Sequence, residues 1–122
     1  MANKKRILLV DDDNDLRGLV LELLESRGFV VSEASDGESA LTALRSAEYD
    51  LILLDITLPD ISGLKILEFV RENHLTCKVI MATGTSGHDL AIKSGTLGAQ
   101  DYIYKPYSAN HLLQSVEYVL ST

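Results

Sequence analysis

Four apolar runs in this 122-residue chain end in residues that can do chemistry. Ile7 to Val10 stops at Asp11-Asp12-Asp13, Leu51 to Leu54 at Asp55, Val79 to Ala82 at Thr83, and Tyr102 to Tyr104 at Lys105-Pro106. If the runs are parallel strands, these ends share one edge of a sheet, where an open α/β fold binds its ligands. Two carboxylates about 5 Å apart at an effective dielectric of about 20 repel by roughly 3 kcal/mol. Asp11, Asp12 and Asp55 make three such pairs, a large sum against a domain stability of about 5–15 kcal/mol. The cluster needs a counter-charge or a retained proton. Lys105 offers one positive charge, and a divalent cation offers two. The donors are all oxygens, with no His/Cys set, which favours Mg²⁺ or a similar hard cation over zinc. Mg²⁺ takes one or two carboxylates and fills its octahedron with water and phosphate oxygens, so the edge is prepared for a phosphoryl group. An aspartate can attack phosphorus and form an acyl phosphate. The cation and the ammonium would neutralise the phosphoryl oxygens, and a hydroxyl such as that of Thr83 can donate to another. Asp55, on the central strand between the acid pair and Lys105, is the best nucleophile candidate.

Each residue alone has a plainer reading. Asp13 can cap the helix that follows it. Asp55 can open a turn before Pro59. Thr83 can be a loop residue, and Lys105 a solvated one. The convergence of all four strand ends carries the argument, because chance seldom assembles such a set.

The elements that must position these residues alternate along the chain. The runs at 7–10, 51–54 and 79–82 are continuously apolar, as in strands buried on both faces. Phe29 to Val31 and Tyr102 to Tyr104 are shorter, with polar flanks, as in edge strands. Leu16, Leu19, Val20, Leu23 and Leu24 form one helical stripe, stopped by Gly28. Ala40, Leu41, Leu44 and Ala47 form a second, with Asp36 as N-cap. Leu64, Leu67 and Val70 form a third, opened by Ser62-Gly63. Leu112, Leu113, Val116, Val119 and Leu120 form the last, with Ser108 as N-cap. Between Thr85 and Asp101 a short helix, Gly87 to Ser94, is expected before Gly95 interrupts it. Five βα units predict one α/β domain over residues 1–122, a flavodoxin-like doubly wound sheet in the order 2-1-3-4-5.

Composition narrows the function. There are 18 acidic and 11 basic residues, a net charge of −7, so direct binding to nucleic acid is disfavoured by its phosphates. The single Cys77 excludes an intramolecular disulfide and a multi-cysteine metal site, and reads as a small filler near a strand start. The longest apolar runs are four residues, whereas a spanning helix needs about 20. No membrane insertion and no secretory signal are expected, and the cytoplasm is the default location. His74, His88 and His111 read as solvated.

These stretches together resemble the receiver domain of bacterial two-component response regulators. The matching pieces are Ile7-Leu-Leu-Val-Asp-Asp-Asp13, Asp50-Leu-Ile-Leu-Leu-Asp55 followed by Pro59 and Gly63-Leu64, Val79-Ile-Met-Ala-Thr83-Gly84, and Gly98-Ala-Gln-Asp-Tyr-Ile-Tyr-Lys105-Pro106-Tyr107. The resemblance implies a phosphorelay switch rather than an enzyme in the usual sense. Asp55 would accept a phosphoryl group from a sensor histidine kinase or a histidine phosphotransfer protein, and a downstream protein would read the result. Asp11 and Asp12 would hold Mg²⁺, Asp12 more directly, together with Asp55 and the backbone carbonyl of Thr57. Thr83 would contact the phosphoryl group in the active state, and Tyr102 would then swing inward. Lys105 would contact the phosphate, and its bond to Pro106 would be cis.

Ser62 stands where the family commonly has an aspartate, and Tyr107 where it usually has a phenylalanine. Gly95 falls in a region the family uses for output. The stretch from Thr85 to Gly98 is expected to be mobile and to carry the switch. Tyr104 reads as a surface aromatic and Tyr107 as a core one. An aspartyl-phosphate hydrolase of the haloacid-dehalogenase type would need an acid two residues after Asp55, where Thr57 stands. A flavin carrier would need a phosphate loop where the three aspartates stand. A stand-alone regulator is expected, the alternative being a receiver excised from a longer response regulator or hybrid kinase.

Overall fold

Ile7 and Leu9 face one side of β1 (Arg6–Val10), and Leu8 and Val10 face the other. The same alternation runs through β3 (Leu51–Asp55) and β4 (Lys78–Thr83), so both faces of the sheet centre are apolar and both must be covered. The computed structural model describes residues 4–84 and 98–122. Its five strands pair in parallel in the order β2-β1-β3-β4-β5, with β2 at Val30–Ala34 and β5 at Asp101–Tyr104. The predicted strand order and the two edge strands are therefore present.

Helices α2 (Gly37–Ser46) and α3 (Gly63–Glu72) close the first face over Leu8, Val10, Ile52, Leu54, Val79 and Met81. Helix α1 (Asn14–Ser26) and the last helix, α4 (Ala109–Leu120), close the other over Ile7, Leu9, Leu51, Leu53, Ile80 and Ile103. The expected helix from Gly87 to Ser94 and the output stretch, up to Leu97, lie outside the described residues, as does His88. Cys77 is buried in the first cluster, as a filler should be, and burial pushes its thiol up to about 11. His74 and His111 are exposed.

Each helix start is held by the side chain its sequence offers. Asp13 accepts from Leu16 N at 3.1 Å, Asp36 from Ser39 N at 2.7 Å, Ser62 from Leu64 N at 3.2 Å and Ser108 from His111 N at 3.0 Å. Gly28, past the end of α1, sits at φ +89°, where a side chain would be strained. One stripe residue departs from expectation. Leu19 is 66% exposed, while Val20 and Leu24 are buried. At about 100° per residue, Leu19 lies about 120° round the helix from the midpoint of Val20 and Leu24, beyond the face the sheet covers.

Candidate functional site

Parallel strands bring their carboxyl ends to one edge, and there β1, β3 and β5 deliver an acid, an acid and an ammonium. Lys105 Nζ donates to Asp11 Oδ2 at 2.8 Å and to Asp55 Oδ2 at 2.9 Å. Both carboxylates are buried, with side chains 5% and 7% exposed, and the lysine is 22% exposed. The other oxygens are also engaged. Asp55 Oδ1 accepts from Thr57 N at 3.0 Å, and Asp11 Oδ1 from Asp13 N at 2.9 Å. Among the described residues, no ion pair or hydrogen bond engages the exposed Asp12 carboxylate.

Burial is the largest influence on the protonation of Asp55. It pushes the Asp55 carboxyl above the usual range, against the hydrogen bond and charge of Lys105 and the Thr57 N–H, with Asp11 adding to the rise. Burial by itself would lower Lys105, but its hydrogen bonds and charge contacts with Asp11 and Asp55 hold it above the usual range. Tyr107 packs half-buried against the second cluster, and burial pushes its phenol up to about 12.

The oxygens suit a small hard cation. One carboxylate oxygen from each of Asp11, Asp12 and Asp55 lies within 4.8 Å of the others. An octahedral Mg²⁺ with bonds of about 2.1 Å spans about 4.2 Å between opposite ligands, so the three acids can surround one ion directly or through water.

Thr83, at the end of β4, is buried, and among the described residues its Oγ1 donates only a long 3.4 Å bond to the Gly84 carbonyl. The strand next to Asp55 carries it, and its own carbonyl accepts from Lys105 N at 2.7 Å. Tyr102 is not brought to the cluster. It is 43% exposed on β5 and meets Tyr104, 41% exposed, edge to face with ring centroids 5.9 Å apart. The Lys105–Pro106 bond is cis.

The loop from Asp55 to α3 is closed tightly on itself. Thr57 and Ser62 form an isolated antiparallel bridge, and Gly63 N donates to Ile56 O at 2.7 Å. A Cβ on Gly63 would stand 2.2 Å from the Asp55 carbonyl oxygen and 2.9 Å from Ile56 Cα, and backbone cannot yield as a side chain can. Gly63→Ala is expected to cost about 1–3 kcal/mol by overpacking. Urea melts measure this, and an unchanged midpoint would refute the close approach.

Three residues that the sequence did not single out support the site. Asp60 accepts from Gly37 N at 2.8 Å, Glu38 N at 3.0 Å and its neighbour Ile61 N at 2.9 Å, tying the Asp55 loop to the start of α2. Arg17 bonds the Asp11 carbonyl and pairs with Glu33 on β2. Nothing local marks these contacts, because an aspartate after Pro59 reads as a turn residue and an arginine on α1 as a solvated one. The Gly37 N–H foremost, with those of Glu38 and Ile61, holds the Asp60 carboxyl below its usual 3.8. Its contribution to stability is thus present above about pH 4 and is lost as pH falls through the lower folded value. Asp60→Asn is expected to be less stable than the wild type at pH 7, the gap narrowing as the solution is acidified below about pH 4. Melts at neutral pH and through that acidic range check this, and a gap that persists or grows on acidification would contradict it.

Acids and an ammonium at the carboxyl edge of a 2-1-3-4-5 parallel sheet define a flavodoxin-like α/β domain whose ligand edge suits a hard cation. Residues 7–117 match the family described as the response regulator receiver domain. The transcriptional regulatory protein CpxR of Escherichia coli is 41% identical over 115 residues, 94% of this chain and 49% of that protein. The transcriptional regulatory protein QseB of Haemophilus influenzae is 41% identical over 104 residues, 84% of this chain and 47% of that protein. A crystal structure of a CheY-like response regulator receiver domain protein from Methanospirillum hungatei superposes with a TM-score of 0.93 at 33% identity, covering 98% of this chain and 95% of that one. The chain belongs to the receiver-domain family of two-component response regulators. It spans about half the length of the curated relatives it matches.

Proposed function

We propose that this receiver domain is a Mg²⁺-dependent phosphoryl acceptor whose surface responds to the charge state of Asp55. The observation that carries the reading is the contact of one ammonium with two buried carboxylates at the sheet edge. A carboxylate oxygen of Asp55 attacks the phosphorus of a phosphohistidine on a kinase or phosphotransfer protein. The P–N bond breaks, the imidazole leaves with its electron pair and takes a proton, and an acyl phosphate remains on Asp55. Asp12, Asp11, Asp55 and the Thr57 carbonyl would hold Mg²⁺, which when bound neutralises phosphoryl oxygens. Lys105 exchanges its Asp55 contact for a phosphoryl oxygen while keeping Asp11.

Thr83 then donates its weakly held hydroxyl to the new group, and Tyr102 turns inward from its exposed position. The chain acts on itself rather than turning over a separate substrate. Among the described residues no helix is long and apolar enough to cross a membrane, and a cytoplasmic location is part of the proposal. So is the reading of residues 1–122 as a single domain. A downstream protein surface, rather than nucleic acid, is the partner expected of an acidic domain.

The decisive experiment incubates the protein with Mg²⁺ and a small acyl phosphate or phosphoramidate, then locates the adduct by mass spectrometry. An adduct on Asp55 is expected, and one found only elsewhere would overturn the assignment. Mg²⁺ is also expected to raise the melting temperature. At ten times its dissociation constant, linkage gives about 1.4 kcal/mol. The rise should vanish in Asp12→Ala, and an equal rise in that variant would remove Asp12 from the ligand set.

A further inference from the structure

We propose that Arg17 is a positioning residue for the cation site, acting through the Asp11 carbonyl and held in place by Glu33. The proposal rests on the cation reading given above. Arg17 Nη1 donates to Asp11 O at 2.7 Å, and Nε donates to Glu33 Oε1 at 3.0 Å. The Arg17 side chain is only 16% exposed. It joins three elements: the start of α1, the end of β1 and the edge strand β2.

The contact matters because of which atom it holds. Asp11 O lies in the rigid peptide plane that also contains Asp12 N and Cα. Fixing that oxygen fixes the plane, and with it the direction in which the Asp12 side chain leaves the backbone. The other Asp11 acceptors are already occupied, Oδ1 by Asp13 N at 2.9 Å and Oδ2 by Lys105 at 2.8 Å. Asp11 N in turn donates to Ala34 O at 3.1 Å on β2. Arg17 therefore completes the clamp on a turn whose next residue, Asp12, is the acid left without a protein partner among the described residues. Glu33 holds the other side of the guanidinium fork. A planar fork suits two acceptors at once, which an ammonium does not match.

Charge and geometry predict opposite outcomes, which makes the proposal testable. A guanidinium beside a cation site repels the cation, so on charge alone its removal would tighten Mg²⁺ binding. If Arg17 positions the turn, its removal weakens binding, by about tenfold on the scale usual for outer-shell partners of metal ligands. The experiment titrates Mg²⁺ alone into the wild type, Arg17→Met, Arg17→Lys and Glu33→Gln, and reads dissociation constants from amide NMR shifts. The same spectra report whether each variant is folded.

The expected result is about tenfold weaker binding in Arg17→Met, a smaller weakening in Arg17→Lys, and near wild-type binding in Glu33→Gln, whose amide oxygen still accepts the Nε bond. Equal or tighter binding in Arg17→Met overturns the proposal. If Arg17→Met does not fold, unchanged affinity in Arg17→Lys overturns it instead. A wild type with no saturable Mg²⁺ response removes the cation reading and this inference together, whereas a responsive wild type with an equally responsive Arg17→Met removes this inference alone.

Discussion

Asp55→Asn is expected to abolish phosphoryl labelling by a small-molecule donor while leaving the sheet and helices unchanged. Asparagine keeps the shape of the side chain but offers an amide in place of the carboxylate nucleophile. Mass spectrometry after incubation with Mg²⁺ and the donor reads the result directly, and undiminished labelling of the variant on another residue would sink the assignment. Stability gives a second, independent signature. The Asp55 carboxyl is pushed up chiefly by burial, so the folded state holds its proton more tightly than the unfolded chain does. A raised folded value means that its stabilising share is fully present below the unfolded value of 3.8 and is lost as pH rises through the folded one. Asparagine has no such slope. In the absence of divalent metal, the stability of Asp55→Asn relative to the wild type should therefore improve as pH rises through that window. Melts in chelator between pH 3 and 7 would show it, and a difference that does not change with pH would contradict the burial of an ionising Asp55.

Lys105→Met is expected to destabilise the metal-free fold strongly at neutral pH. The lysine is the one cation in contact with both Asp11 and Asp55 among the described residues, and both of those side chains are less than a tenth exposed. Methionine keeps most of the apolar stem but leaves two buried carboxylates facing each other. Removing one partner of a buried ionic set costs about 3–5 kcal/mol in enclosed sites, and the partial exposure of Lys105 places the expected loss near the lower end, about 3 kcal/mol. Mg²⁺ should return much of it, because a divalent ion supplies the missing positive charge. The rise in melting temperature on adding Mg²⁺ is thus expected to be larger in Lys105→Met than in the wild type. Equal melting of the two proteins in chelator would show that Lys105 does not carry the electrostatic balance of the edge.

Much of the scaffold was legible because its signals are local. Unbroken apolar runs marked β1, β3 and β4, and their side chains do bury both faces of the sheet. Asp13, Asp36, Ser62 and Ser108 announced helix starts, since a cap is a contact over two or three residues. Leu19 misled because an apolar stripe shows which residues share a helix face, not how far round the helix its neighbours reach. Tyr107, expected in the core, is half-buried beside Lys105, since its ring lies between the sheet edge and the cleft where α1 and the last helix meet.

The residue types at the strand ends, their order along the chain and their convergence on one sheet edge follow from the sequence by itself. Strands alternating with helices pair in parallel through crossovers, and parallel strands bring their carboxyl ends to one edge. Tertiary structure alone decided how those residues meet. Lys105 reaches Asp11 across 94 positions of chain and Asp55 across 50, and only the packed sheet determines which oxygen it takes and which acid it leaves free. The same holds for Asp60 on the start of α2, 23 residues from Gly37, and for Arg17 on Glu33, 16 residues away. Such contacts depend on where side chains from separate elements end up in space, and a charged residue carries no local pattern that announces its distant partner. The outward position of Tyr102 has the same origin: a four-residue edge strand can show its aromatics to solvent or to the core, and the packing around β5, not its sequence, selects between them.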